Sequence, residues 1–197
     1  MKAPFPPSLL LPIAAMMAVI GVSNVAVQHA INDWLTWGAF TYPLAFLVTD
    51  LTNRAWGPGR ARTVAYVGFP FGMGLSILLA VAADIPLWEG VRVALASGFA
   101  FICAQLFDIA LFHRLRRGLW WRAPLVSSLS ASALDTAIFF SAAFALTGLP
   151  WVTWALGDFA IKVGMAALLL IPFRLLMPWI VPTLYGDARA GARHADL

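Results

Sequence analysis

The sequence predicts an all-α membrane protein, with six transmembrane helices in one compact bundle and both termini cytoplasmic. Three observations lead there. Of the 197 residues, 61% are hydrophobic and 11% charged, whereas a soluble domain carries about 25% charged residues. Apolar runs near ~20 residues, the helical length that crosses a hydrocarbon core of about 30 Å, recur along the chain. The basic residues and the tryptophans then sort by side. Lys2, Arg54, Arg60, Arg62, Arg114, Arg116, Arg117, Arg122, Arg174, Arg189 and Arg193 fall on one side, eleven of the 13 Lys and Arg. By the positive-inside rule that side is cytoplasmic. Arg92 alone falls opposite, and Lys162 lies within a span. Trp34, Trp37, Trp88, Trp151 and Trp154 mark the outer ends, and Trp56, Trp120, Trp121 and Trp179 the inner ends, as an aromatic belt should.

The first span covers 9–28. Its start resembles a signal peptide, but Lys2 is a thin basic region and the apolar run outlasts the usual length, so it is taken as a retained helix. Asn24 and Gln28 lie in its outer half. A polar turn, His29 to Asp33, leads to the second span, 34–53, which the Tyr42-Pro43 pair should kink, because proline lacks the N–H of a helical hydrogen bond. The third, 61–83, carries Gly68, Gly72 and Gly74 around Pro70, small residues that let helices approach closely and that permit a homodimer. The fourth, 91–112, ends near Gln105 and Asp108 and runs into the most basic loop, HRLRRGLWWRAP. The fifth, 124–146, holds the polar patch SSLSASALDT. The sixth, 151–173, follows Pro150. Residues 185–197 form a polar tail beyond the 1–184 membrane domain.

Chemistry concentrates in the sixth span. Asp158 and Lys162 are four residues apart, which places both on one helix face. A charge within lipid costs at least ~2.5–3.5 kcal/mol and by default marks a functional site. Asp135 in span five lies about as deep as Lys162, and Asn24 sits in the outer half. These four can share one cavity. Asp50 and Asp108 lie near cytoplasmic helix ends, beside Arg54 and His113-Arg114, where helix-end pairing is the simpler expectation. A carboxylate accepts two parallel hydrogen bonds from a flat N–H/NH₂ edge such as that of guanine, and Phe139, Phe140 or Phe159 can stack on a ring. Amino acids, polyamines and protons fit the same composition.

No catalytic residues, metal ligands or cofactor motifs emerge. The single cysteine, Cys103, is a small core residue. No Cys/His cluster, phosphate loop, HExxH or GxSxG is present. The net charge of +4 reflects loops facing a membrane surface, with no nucleic acid implied. An intramembrane enzyme built on Asp108 and Asp135 would require the two acids to meet, and their depths differ by about a third of the membrane at ~1.5 Å per residue.

The stretches TYPLAFLVTDLTNRAWGPGRAR, AQLFDIALFHRLRR, the pattern from Trp120 to Phe140 and GDFAIK together resemble the queuosine precursor transporters, relatives of vitamin-uptake transporters. The resemblance covers spans two to six. It implies import of 7-cyano- or 7-aminomethyl-7-deazaguanine across the bacterial inner membrane, and the polar positions that match are Asn24, Asp50, Gln105, Asp108, Asp135, Asp158 and Lys162. Of these, Asn24, Gln105, Asp135, Asp158 and Lys162 are our candidates for binding substrate, and Asp50 and Asp108 for coupling or structure. Arg54 stands where an acidic residue would also suit the pattern. The rival within transport is the substrate-binding membrane subunit of an ATP-driven importer, docked through Ala14, Ala15 and Ala18.

Overall fold

The structure is a computed structural model and describes residues 7–32 and 34–179. The polar tail, Lys2, Asp33, Arg189 and Arg193 lie outside the described residues. Among the described residues the regular elements are helices and one small hairpin: α1 (Pro7–Ala26), β1 (Ala30–Asn32), β2 (Leu35–Thr36), α2 (Gly38–Thr41), α3 (Leu44–Trp56), α4 (Pro58–Ala82), α5 (Leu87–Leu115), α6 (Arg122–Phe144) and α7 (Trp151–Leu168). Five helical segments have the length and hydropathy to cross a membrane: Leu9–Ala26, Pro58–Ala82, Leu87–Leu115, Arg122–Phe144 and Trp151–Trp179.

The expected second span is not one helix. The polar turn after α1 becomes an antiparallel hairpin, with the Asn32 side chain accepting from the backbone N–H groups of Trp34 and Leu35 at 2.9 Å each. The run 34–53 then divides into α2 and α3 at Tyr42-Pro43. Proline has no N–H to donate back, and a break rather than a kink results. Gly57 joins α3 to α4 at φ 85°, a backbone state that side chains disfavour, and Pro58 follows as the first residue of α4. Past α7 a turn at Leu169 precedes Pro172, and the chain is helical again over 170–179.

Small residues set the helix spacing. A Cβ on Gly68 would lie 2.7 Å from Ile20 Cδ1, and one on Gly72 would lie 3.1 Å from Ile20 Cγ2. Both glycines therefore face α1 of the same chain, and Gly74 meets nothing. A Cβ on Gly90 would lie 2.7 Å from the Cβ of Ala80, so the α5 backbone sits directly against the Ala80 methyl of α4 there. The main apolar cluster joins Leu9, Ile13, Met16 and Ile20 of α1 to Ala45 and Val64. At the opposite end Phe112, Ala123 and Phe173 pack together, and the Arg174 guanidinium lies 5.1 Å over the Trp120 ring. Arg92, the one base assigned to the outer side, donates to the Ala142 and Ala145 carbonyls at 3.1 and 2.8 Å. It thereby satisfies C-terminal acceptors of α6 that have no helical partner.

Candidate functional site

The spacing within α7 and the depth of α6 bring three charges together. Lys162 Nζ lies 2.8 Å from Asp135 Oδ2 and 2.6 Å from Asp158 Oδ2. It also donates to Thr136 Oγ1 at 3.1 Å, and that hydroxyl donates to Asp158 Oδ2 at 2.9 Å. The ammonium is thus ringed by oxygens, which is what a buried charge requires. The lysine is 5% exposed. Each acid meets it through Oδ2 alone. Two carboxylates and one ammonium leave the group with one formal negative charge.

This group forms the inner end of a cavity of about 720 Å³, lined by parts of α1, the hairpin, α2, α4, α5, α6 and α7. That volume is typical of small-molecule sites, ~300–1,000 Å³. The cavity extends to the end of the bundle carrying the hairpin, the α4–α5 turn and the start of α7, where the exposed Glu89 and Trp34 border it. One wall is aromatic. Phe139, Phe144 and Trp154 meet edge to face, with centroids 5.8 and 5.6 Å apart, and Phe140 lies 5.0 Å from Phe139. Phe159 does not line the cavity.

Asn24 also borders the cavity, anchored from both sides of its amide. Its Nδ2 donates to the Ile20 carbonyl at 3.0 Å and its Oδ1 accepts from the Ser76 hydroxyl of α4. Asn24, Asp135, Asp158 and Lys162 therefore converge as their depths predict. Gln105 does not join them. It faces α3 beneath the cavity, 1% exposed, and its Oε1 accepts from Thr49 Oγ1 at 2.8 Å. Tyr42 and Ser97 line the cavity near each other and were not among the expected residues. A tyrosine inside an apolar run was the available signal, since its hydroxyl needs a partner.

Asp50 and Asp108 are not helix-end pairs. They are 2% and 0% exposed and face one another across α3 and α5, against Ser127 and Ser128 of α6. Ser128 Oγ donates to Asp50 Oδ2 at 3.4 Å. Arg54, one of the bases expected beside them, instead donates to the Arg116 carbonyl at 2.6 Å, and Arg116 donates to the Asn53 carbonyl at 3.0 Å. Because Asp108 meets Asp50 and Asp135 meets Lys162, no Asp108–Asp135 dyad exists. Among the described residues, no group of three His, Cys, Asp or Glu side chains is arranged to hold a metal ion.

A bundle with an ion cluster inside a deep, aromatic-walled cavity is what a small-molecule carrier needs. Residues 36–177 match the family described as "Putative vitamin uptake transporter". The chain belongs to this family. Within it, the chain is 32% identical to the queuosine precursor transporter of Escherichia coli (strain K12), over 91% of both chains. It is also 32% identical to a probable queuosine precursor transporter of Haemophilus influenzae, over 81% of this chain and 73% of the relative. A probable queuosine precursor transporter of Bacillus subtilis is 30% identical over 55% of this chain and 56% of its own. No solved structure matches. As a member of this transporter family with five helices able to span, the chain is a multi-pass protein of the bacterial inner membrane.

Proposed function

We propose that this chain imports queuosine precursors, the 7-cyano- or 7-aminomethyl-7-deazaguanine base, and binds them on the Asp135–Lys162–Asp158 cluster. The observation that carries this reading is the location of that cluster at the inner end of the cavity, beside an aromatic wall. A 7-deazaguanine presents adjacent N1–H and N2 amino donors. Asp135 Oδ1, unclaimed by Lys162, accepts from them, and Lys162 donates to the ring carbonyl. Asp158 and Thr136 hold the lysine, Asn24 offers its second amide hydrogen from the outer wall, and Phe139 or Phe140 stacks on the ring. Tyr42 and Ser97 add hydroxyls on the same lining. Gln105 supports this site from below by bracing α3 against α5.

In this reading α2 and α3 together form the sixth crossing. Residues 38–56 rise about 28 Å at ~1.5 Å per residue, close to one hydrocarbon thickness. Both termini are then cytoplasmic and the cavity faces outward, away from the arginine-rich end. Uptake of labelled 7-deazaguanine into cells that cannot make their own tests the assignment. Asp135→Ala should reduce uptake at least tenfold at unchanged membrane abundance, and wild-type uptake by that variant would end it. Uptake by the purified chain in proteoliposomes separates a self-sufficient carrier from a subunit of an ATP-driven importer.

A further inference from the structure

Below the cavity lies a second polar site that the substrate cluster does not use. The Asp50 and Asp108 carboxyls face one another across α3 and α5, and both are buried. An ionised carboxylate only accepts, so two can bond only if one carries a proton. Among the described residues, the one charged group acting on either acid is the other, and Arg54 and Arg116 hold backbone carbonyls. Asp50 Oδ1, both oxygens of Asp108 and the Ser127 hydroxyl are buried without a hydrogen-bond partner among the described residues. Ser127 is fully buried and turned toward Asp108. Buried polar atoms in that condition are costly unless something mobile satisfies them.

The pair is also connected to the substrate cluster. Ser128, Ser132 and Thr136 follow at four-residue intervals and form one stripe along α6. Ser128 meets Asp50, and Thr136 meets both Lys162 and Asp158. Between them Asp50, Ser128 and Ser132 border a cavity of about 10 Å³, room for about one water.

We propose that Asp50 and Asp108 share one exchangeable proton, and that movement of this proton to the cytoplasm couples uptake to the proton gradient. The first half stands on the pair's own geometry; the second rests on the importer reading above. A proton entering from the outer cavity passes to the pair along the α6 hydroxyls and leaves to the cytoplasm as the carrier returns.

Infrared spectroscopy of the full-length reconstituted protein tests the first half without any substrate. The wild type should show, at neutral pH, a protonated-carboxyl C=O stretch that shifts in D₂O and is lost in the Asp50→Asn/Asp108→Asn double variant. No such band in the wild type, or an unchanged band in the double variant, overturns the shared proton. Proteoliposomes loaded with a pH dye test the second half. Addition of 7-deazaguanine substrate should acidify the wild-type lumen, and Asp50→Asn and Asp108→Asn should each lower accumulation at least tenfold while substrate exchange at equal concentrations continues. Uptake driven by a sodium gradient, or uptake with no proton movement, overturns the coupling. If neither uptake nor exchange occurs, the importer reading fails and coupling falls with it, while the infrared band still decides the shared proton.

Discussion

At the scale of single residues, the protein isolates two acid groups by how their charge is balanced. Asp135 and Asp158 have Lys162 between them at 2.8 and 2.6 Å. Among the described residues, Asp50 and Asp108 have each other and two serines. The lysine therefore holds the first group together. In Lys162→Met two carboxylates would remain together in a low-dielectric interior, a loss of about 3–5 kcal/mol for a broken buried pair. Thermal unfolding in detergent should show the drop, and uptake should fall with it. Asp158→Asn keeps a hydrogen-bond acceptor for both Lys162 and Thr136, so it should unfold near the wild-type temperature. The spacing of Asp158 and Lys162 exposed their shared face from sequence, and similar depth brought in Asp135. Nothing local in the sequence could say that Gln105 turns toward Thr49, because that depends on how α3 lies against α5.

At the scale of helices, close approach is set where side chains are missing. Gly90 against Ala80 is the tightest case, because a methyl at 2.7 Å from a Cβ has no flexible end to move aside. Gly90→Ala should destabilise by about 1–3 kcal/mol, the usual cost of overpacking. Ala80→Gly in the same chain should recover most of it, since the pair couples through one contact. Gly74→Ala, which meets nothing within 4 Å, is the neutral control. Thermal unfolding of the three variants reads all of these outcomes. Helix positions were largely legible in sequence: the expected 61–83, 91–112 and 124–146 lie within a few residues of α4, α5 and α6. The 34–53 span was not, because hydropathy counts apolar residues and is blind to the backbone break at Tyr42-Pro43.

At the scale of the whole molecule, the aromatic-walled cavity and the arginine-rich helix ends lie at opposite ends of the bundle. The orientation argued from charge can be tested with a single-cysteine series. Cys103 is the sole native cysteine, so Cys103→Ser provides the background. In whole cells a membrane-impermeant maleimide should label Trp34→Cys and spare Arg117→Cys, and permeabilised cells should label both. The reverse pattern would place the cavity on the cytoplasmic side. Substrate should protect an engineered cysteine at Ser97 on the cavity lining and leave the Trp34→Cys signal largely intact.

The sequence by itself determined that this is a membrane bundle, roughly where its long helices run, and that Asp135, Asp158 and Lys162 lie at similar depth. Those properties follow from hydropathy, helical periodicity and charge, which act along the chain. The tertiary structure alone decided which acids meet which partners. It gave Lys162 to two carboxylates, turned Asp50 and Asp108 from their neighbouring bases to each other, and left the cavity above one group and not the other. The reason is rotational: depth fixes a residue's height in the bundle, but only the packing of one helix against the next fixes the direction in which its side chain points.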